Sequence, residues 1–141
     1  MDIVLLDGYS LNADLTWSKL SNLGNCTFYD QTPVDDTEEI IKRIDNAEIV
    51  ITHKTPLRNE VLKQVPNLKY IGIMGTGYDV VLFESAHHHD IIVTNLPTYG
   101  TDAVAEFTFS LLLVVTREVG FLNQLIHEAK WSKVPDFRFW H

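Results

Sequence analysis

Compact apolar runs alternate with segments of helical apolar spacing along residues 1–100. Ile3-Val4-Leu5-Leu6 predicts a strand, closed by the turn signal Asp7-Gly8. Leu15, Leu20 and Leu23 mark a helical face that stops at Gly24, and Thr27-Phe28-Tyr29 predicts a second strand. Asp36, with Glu39 three residues on, has capping-box spacing, and Ile40, Ile41 and Ile44 give the following helix its apolar face. Ile49-Val50-Ile51-Thr52 predicts the third strand. Pro56 and Asn59 introduce a short helix bearing Val61, Leu62 and Val65, which ends at Pro66. Tyr70-Ile71-Gly72-Ile73-Met74 predicts the fourth strand, and Gly75-Thr76-Gly77 follows it at once. A short helix over 81–88 and a fifth strand over 91–94 complete the series.

These strands read as near-continuous apolar runs, the pattern of strands covered on both faces in a parallel sheet. With right-handed crossovers, the expected fold is α/β: a flavodoxin-like five-stranded parallel sheet with helices on both faces. Beyond it the pattern changes. Thr101-Asp102 opens a helix predicted to run to about Ala129. Val104, Phe107, Leu111, Leu112, Val115, Val119 and Leu122 give it a wide apolar face, with Phe109 and Leu113 apolar off that face. Such a helix needs cover from a second domain, a second subunit or both. The aromatic tail Trp131, Phe137, Phe139 and Trp140 makes the same demand. The pattern thus divides the chain into a domain over 1–100 and a long linking or dimerisation helix with its tail over 101–141.

Composition narrows the partners. The chain has 141 residues, a net charge of -8 and only 11 Lys and Arg, an acidic balance that argues against nucleic-acid binding. One cysteine, Cys26, precludes an internal disulfide and is expected as buried filler. No basic n-region precedes the first apolar run, and the longest apolar stretch, Leu111 to Val115, is too short to span a bilayer. The protein is expected to be cytoplasmic and free of membrane.

Candidate chemistry gathers at the predicted strand ends, where open α/β sheets bind ligands. Met74-Gly75-Thr76-Gly77-Tyr78-Asp79 follows the fourth strand, and its glycines let backbone N–H groups approach an anion such as a carboxylate. The same Gly-x-Gly equally describes a tight turn that binds nothing. It is not a dinucleotide fingerprint, because position 80 is Val80 where a third glycine is required. Thr52-His53-Lys54-Thr55-Pro56 follows the third strand, so Lys54 can add positive charge on the same edge, although a loop lysine is more often a solvated one. His53, too, is more often structural or exposed than catalytic at such a position. Asn95-Leu96-Pro97 brings a third loop there, and convergence favours a small-anion site over any single loop. His87-His88-His89 is not expected to hold a metal, since successive helical residues point about 100° apart.

The order of these pieces resembles the D-isomer-specific 2-hydroxyacid dehydrogenases. The resemblance rests on Gly75-Thr76-Gly77-Tyr78-Asp79 and on the run from Ile92 to Thr108, above all Asn95-Leu96-Pro97 before a helix opening Ala103-Val104-Ala105-Glu106. Trp131-Ser132-Lys133, Pro135-Asp136-Phe137 and Phe139-Trp140 resemble the glycerate dehydrogenase or hydroxypyruvate reductase branch. The resemblance implies a substrate-side domain from a two-domain enzyme using NAD(H) or NADP(H) on a small 2-hydroxy or 2-keto acid. It implies that Gly75, Thr76 and Gly77 hold the substrate carboxylate, that Lys54 lines the same cleft, and that Val104 and Thr108 approach the nicotinamide. It implies a homodimer built through the 101–129 helix. The family's catalytic Arg, Glu and His lie downstream, so no catalytic residue is assigned here and the chain alone is expected to be inactive and to bind no cofactor. Where the family often reads Asp-Asn-x-Asp, this chain has Asp79-Val80-Val81-Leu82, a more apolar cleft wall. The other reading is a stand-alone flavodoxin-like dimerising or regulatory module. Its receiver-like form lacks an acidic residue at the end of the third strand, Thr52-His53-Lys54.

Overall fold

The computed structural model describes residues 1–11 and 15–133. Five parallel strands form one sheet in the order β2-β1-β3-β4-β5. They are β1 (Asp2–Leu5), β2 (Asn25–Phe28), β3 (Ile49–Thr52), β4 (Tyr70–Ile73) and β5 (Ile92–Thr94). This is the expected flavodoxin-like α/β arrangement, and the strand order reverses beside β1. The crossovers carry α1 (Ser18–Ser21), α2 (Thr37–Ile44), α3 (Asn59–Leu62) and α4 (Phe83–His88).

The core lies where α2, α3 and α4 meet one sheet face. Val4, Val50, Ile71 and Ile73 pack there with Ile40, Ile44, Val61, Leu62 and Ala86. On the opposite face, at the β2 edge, Trp17 beside α1 packs on Phe28 with ring centroids 5.5 Å apart. Only β1 is sealed along most of its length; β3 and β4 alternate between buried and half-buried. Ile92, on the edge strand β5, is 63% exposed, so the two-sided cover expected for every strand is confined to the middle of the sheet.

Local signals explain the element ends. Asp36 accepts the Glu39 N–H at 3.0 Å, the predicted cap of α2. The helix predicted over 81–88 starts later, at Phe83. Its first residues are taken by a bridge between Leu57 and Val81, with Leu57 N–H donating to the Val80 carbonyl at 2.8 Å.

The described chain divides into two compact units, Met1–Thr98 and a second beginning at Tyr99. In the second, the helix predicted over 101–129 is two helices, α5 (Thr101–Thr116) and α6 (Val119–His127), bent by 60° at the break. Glu118 stands there at φ 48°, a left-handed conformation that ends helices. The Thr116 hydroxyl also donates to the Leu112 carbonyl at 2.8 Å, a bond that bends helices near it. None of the residues of α5 is buried, and Val115 is 75% exposed. No single helix among the described residues is long and apolar enough to cross a membrane. Trp131 lies in a short 3-10 turn, whereas Phe137, Phe139 and Trp140 fall outside the described residues.

Candidate functional site

Parallel strands in the order β1-β3-β4-β5 set their carboxyl ends side by side. Asp7, residues 53–55, residues 75–77 and residues 95–97 therefore share one edge of the sheet. The loops are bound to one another, and the bonds decide which groups remain to meet a ligand.

Asp7 organises the β3 end. Its side chain is buried, the residue being 1% exposed. Oδ2 accepts the backbone N–H groups of His53 (2.8 Å), Lys54 (3.0 Å) and Thr55 (3.1 Å), and the Thr52 hydroxyl (2.9 Å). Oδ1 accepts the Thr55 hydroxyl at 2.8 Å. Burial, the largest single influence, would raise the pKa of this carboxyl. The three backbone donors and the Thr55 hydroxyl together outweigh it and hold the value below the ordinary carboxylate range. Sequence reasoning saw Asp7 as a turn residue at the end of the first strand and gave it no part in the site. The available signal was an Asp after the first apolar run facing two threonines, Thr52 and Thr55, at the end of a strand that neighbours it.

The Gly75-Thr76-Gly77 loop is tied on its other side. Leu96 N–H donates to the Gly75 carbonyl at 3.0 Å, and Asn95 Nδ2 donates to the Thr76 carbonyl at 2.8 Å. The Thr76 hydroxyl donates to the Leu96 carbonyl at 3.1 Å. In a trans peptide the C=O of one residue and the N–H of the next point in opposite directions. With both carbonyls turned to the β5 loop, the N–H groups of Thr76 and Gly77 are directed away from it, toward the β3 side. Among the described residues, neither N–H donates to another protein group. This is a pair of adjacent, outward-facing donors.

Neither glycine has a positive φ, so the loop turns without a left-handed residue. Gly75 is needed for space. A Cβ there would stand 3.2 Å from Cδ2 and Nε2 of His53. At Gly77 a Cβ would meet only the Asp79 carboxylate, at 3.3 Å.

Among the other predicted site residues, Lys54 is exposed and enters no ion pair among the described residues. Lys54, Gly75, Thr76 and Gly77 thus share the edge that sequence reasoning gave them. Val104 and Thr108 lie one turn apart on α5, in the second unit; the Thr108 hydroxyl donates to the Val104 carbonyl at 2.8 Å, and both residues are exposed. His87 and His88 close α4, and both are exposed.

A family model described as "D-isomer specific 2-hydroxyacid dehydrogenase, catalytic domain" matches residues 4–129. The chain belongs to the D-isomer specific 2-hydroxyacid dehydrogenase family. It is 48% identical, over 99% of its length, to a hydroxypyruvate reductase of Blautia hydrogenotrophica, and covers 44% of that protein. It is 34% identical over 71% of its length to a glycerate dehydrogenase of Methylorubrum extorquens, covering 32% of it. Among solved structures, an acyclic imino acid reductase in complex with NADPH and D-Arg matches 92% of this chain and 41% of its own. The identity is 28% and the TM-score 0.76. The chain therefore spans less than half the length of these relatives.

Proposed function

We propose that this chain is the substrate-side part of an oxidoreductase that interconverts a small D-2-hydroxy acid of the glycerate type and its 2-keto acid. The observation behind this reading is the pair of unpaired N–H groups of Thr76 and Gly77, turned to one side by the bonds that hold the Gly75 and Thr76 carbonyls. Two adjacent N–H donors suit the two oxygens of a carboxylate, and hydrogen bonds to an ionised acceptor are about twice as strong as neutral ones. The exposed Lys54 ammonium adds positive charge from the β3 loop, whose backbone Asp7 holds in place. The names of the two relatives, hydroxypyruvate reductase and glycerate dehydrogenase, favour a three-carbon acid.

The edge does not fit a whole dinucleotide. Val80 stands where a third glycine is needed, and α4 begins only at Phe83, so the loop opens no helix on which a pyrophosphate could rest. We therefore assign most of the NAD(H) or NADP(H) site, and the acid–base residues, to parts of the enzyme outside this chain. Val104 and Thr108 are proposed to approach the nicotinamide. When bound, that cofactor supplies the hydride; the residues described here bind and orient the carboxylate. The uncovered apolar surface of α5 suits a second copy of the chain, which gives a homodimer.

Titration of the isotopically labelled chain with D-glycerate tests the assignment: the Thr76 and Gly77 amide signals are expected to shift together, and their failure to move would remove it. Isolated chain with NADH and hydroxypyruvate is expected to show no turnover. Robust activity would overturn the division of labour. Light scattering is expected to report twice the chain mass, and a clean monomer would remove the homodimer.

A further inference from the structure

Among the described residues, Nδ1 of His53 is a buried side-chain atom with no hydrogen-bond partner. Buried polar atoms are nearly always paired, so the exception calls for a reason. His53 is the first residue after β3, and its own N–H is bound to Asp7 Oδ2 at 2.8 Å, so its backbone is anchored. Its ring is half-buried, with the Cδ2–Nε2 edge set against Gly75, 3.2 Å from where a Cβ would stand.

A neutral imidazole carries one N–H, on either nitrogen. A proton on Nδ1 would seal a donor away from every acceptor and leave it unpaid for in hydrogen bonding. A proton on Nε2 leaves only a lone pair in the sealed position and puts the N–H on the edge beside Gly75. The N–H groups of Thr76 and Gly77 are directed toward that same β3 side, away from the loop after β5. Three donors from two neighbouring loops then lie on one side, two from the backbone and one from a side chain.

We infer that His53, as the Nε2–H tautomer, is a further substrate-binding residue that donates a hydrogen bond to the carboxylate held by the Thr76 and Gly77 N–H groups. The inference rests on the carboxylate reading of that loop. It also accounts for Gly75: a side chain there would push the imidazole off the loop it serves. Asp7 enters as a positioning residue, because it fixes the backbone from which the ring projects and does not touch the ring's nitrogens among the bonds described.

The test uses the 141-residue chain with its histidines labelled by nitrogen-15, titrated with D-glycerate and followed by ring and backbone resonances. The ring of His53 is expected to show the Nε2–H pattern before ligand is added, and its Nε2 signal to move with the Thr76 and Gly77 amides. Glutamine places an amide N–H near the position of Nε2 and asparagine near that of Nδ1. His53→Gln is therefore expected to keep the D-glycerate Kd within about threefold, and His53→Asn and His53→Phe to raise it about tenfold, the effect of one hydrogen bond to a charged acceptor. An Nδ1–H pattern would overturn the inference. So would an unchanged Kd in His53→Phe while the Thr76 and Gly77 amides still shift, a result that leaves the carboxylate loop standing. Equal weakening in a folded His53→Gln would reduce the ring to packing and also overturn it. If D-glycerate moves no resonance at all, the loop reading fails and the inference fails with it.

Discussion

Asp7 and Thr55 are joined twice: the Thr55 N–H reaches Oδ2 at 3.1 Å and its hydroxyl reaches Oδ1 at 2.8 Å, across the neighbouring ends of β1 and β3. Both side chains are buried, so these bonds have no solvent competitor. Replacing Asp7 by Ala leaves three backbone N–H groups and the Thr55 hydroxyl short of an acceptor at once, while the Thr52 hydroxyl keeps the Thr55 carbonyl at 3.1 Å. The expected loss is about 3 kcal/mol or more of unfolding free energy, read by urea denaturation at neutral pH.

The same carboxylate makes stability depend on pH in a stated direction. Its folded pKa lies below its unfolded value, so its contribution is complete above the unfolded carboxylate pKa. The contribution is lost as pH falls through the lower folded value. Denaturation midpoints measured from pH 7 down to about pH 3 should fall more steeply for the parent chain than for Asp7→Asn. Parallel curves would mean that Asp7 is not the ionised acceptor.

Gly75 and Gly77 are expected to differ on substitution. Gly75→Ala presses a methyl onto an imidazole whose Nδ1 side is sealed, and should cost about 1–3 kcal/mol. Gly77→Ala meets an exposed Asp79 side chain that can move aside, and should stay within about 0.5 kcal/mol. Thermal melts of the two variants decide the ranking.

Asn95 aims the loop from the other side. Asn95→Ala frees the Thr76 carbonyl, which lets that peptide plane rotate and its N–H leave the β3 side. D-glycerate affinity should fall about fivefold, the worth of roughly one net hydrogen bond, with a smaller change in melting temperature. A large drop in stability with unchanged affinity would contradict this.

Asp45 closes α2 at φ 47°, a conformation that favours glycine. Asp45→Gly should raise stability by about 0.5–1 kcal/mol, seen as a higher urea midpoint with an unchanged slope.

Local chemistry was legible along the chain wherever one segment decided it. The run Ile3 to Leu6, the Asp36–Glu39 cap and the Ile40–Ile44 face each declare a strand, a helix start and a buried side through neighbours a few residues apart. The alternation of such segments was enough for the parallel sheet, and for placing Lys54, Gly75, Thr76 and Gly77 on one edge of it. The break near Glu118 was not legible, because a helical apolar pattern continues through the bend and no proline or glycine marks residue 118.

What the tertiary structure alone decided is which polar groups are spent and which remain. Asp7 meets Thr55 across 48 residues of sequence, and Asn95 meets Thr76 across 19; no local periodicity records either bond. The Asn95 bond, together with the Leu96 N–H on the Gly75 carbonyl, turns two N–H groups outward, and the fold buries one nitrogen of His53. Sequence alone determined the alternation of strands and helices over residues 1–100 and the edge where the strands end, because backbone preference and apolar spacing act over a few residues. The direction of each donor on that edge waited for the fold, because a peptide group points wherever its distant partner leaves it free to point.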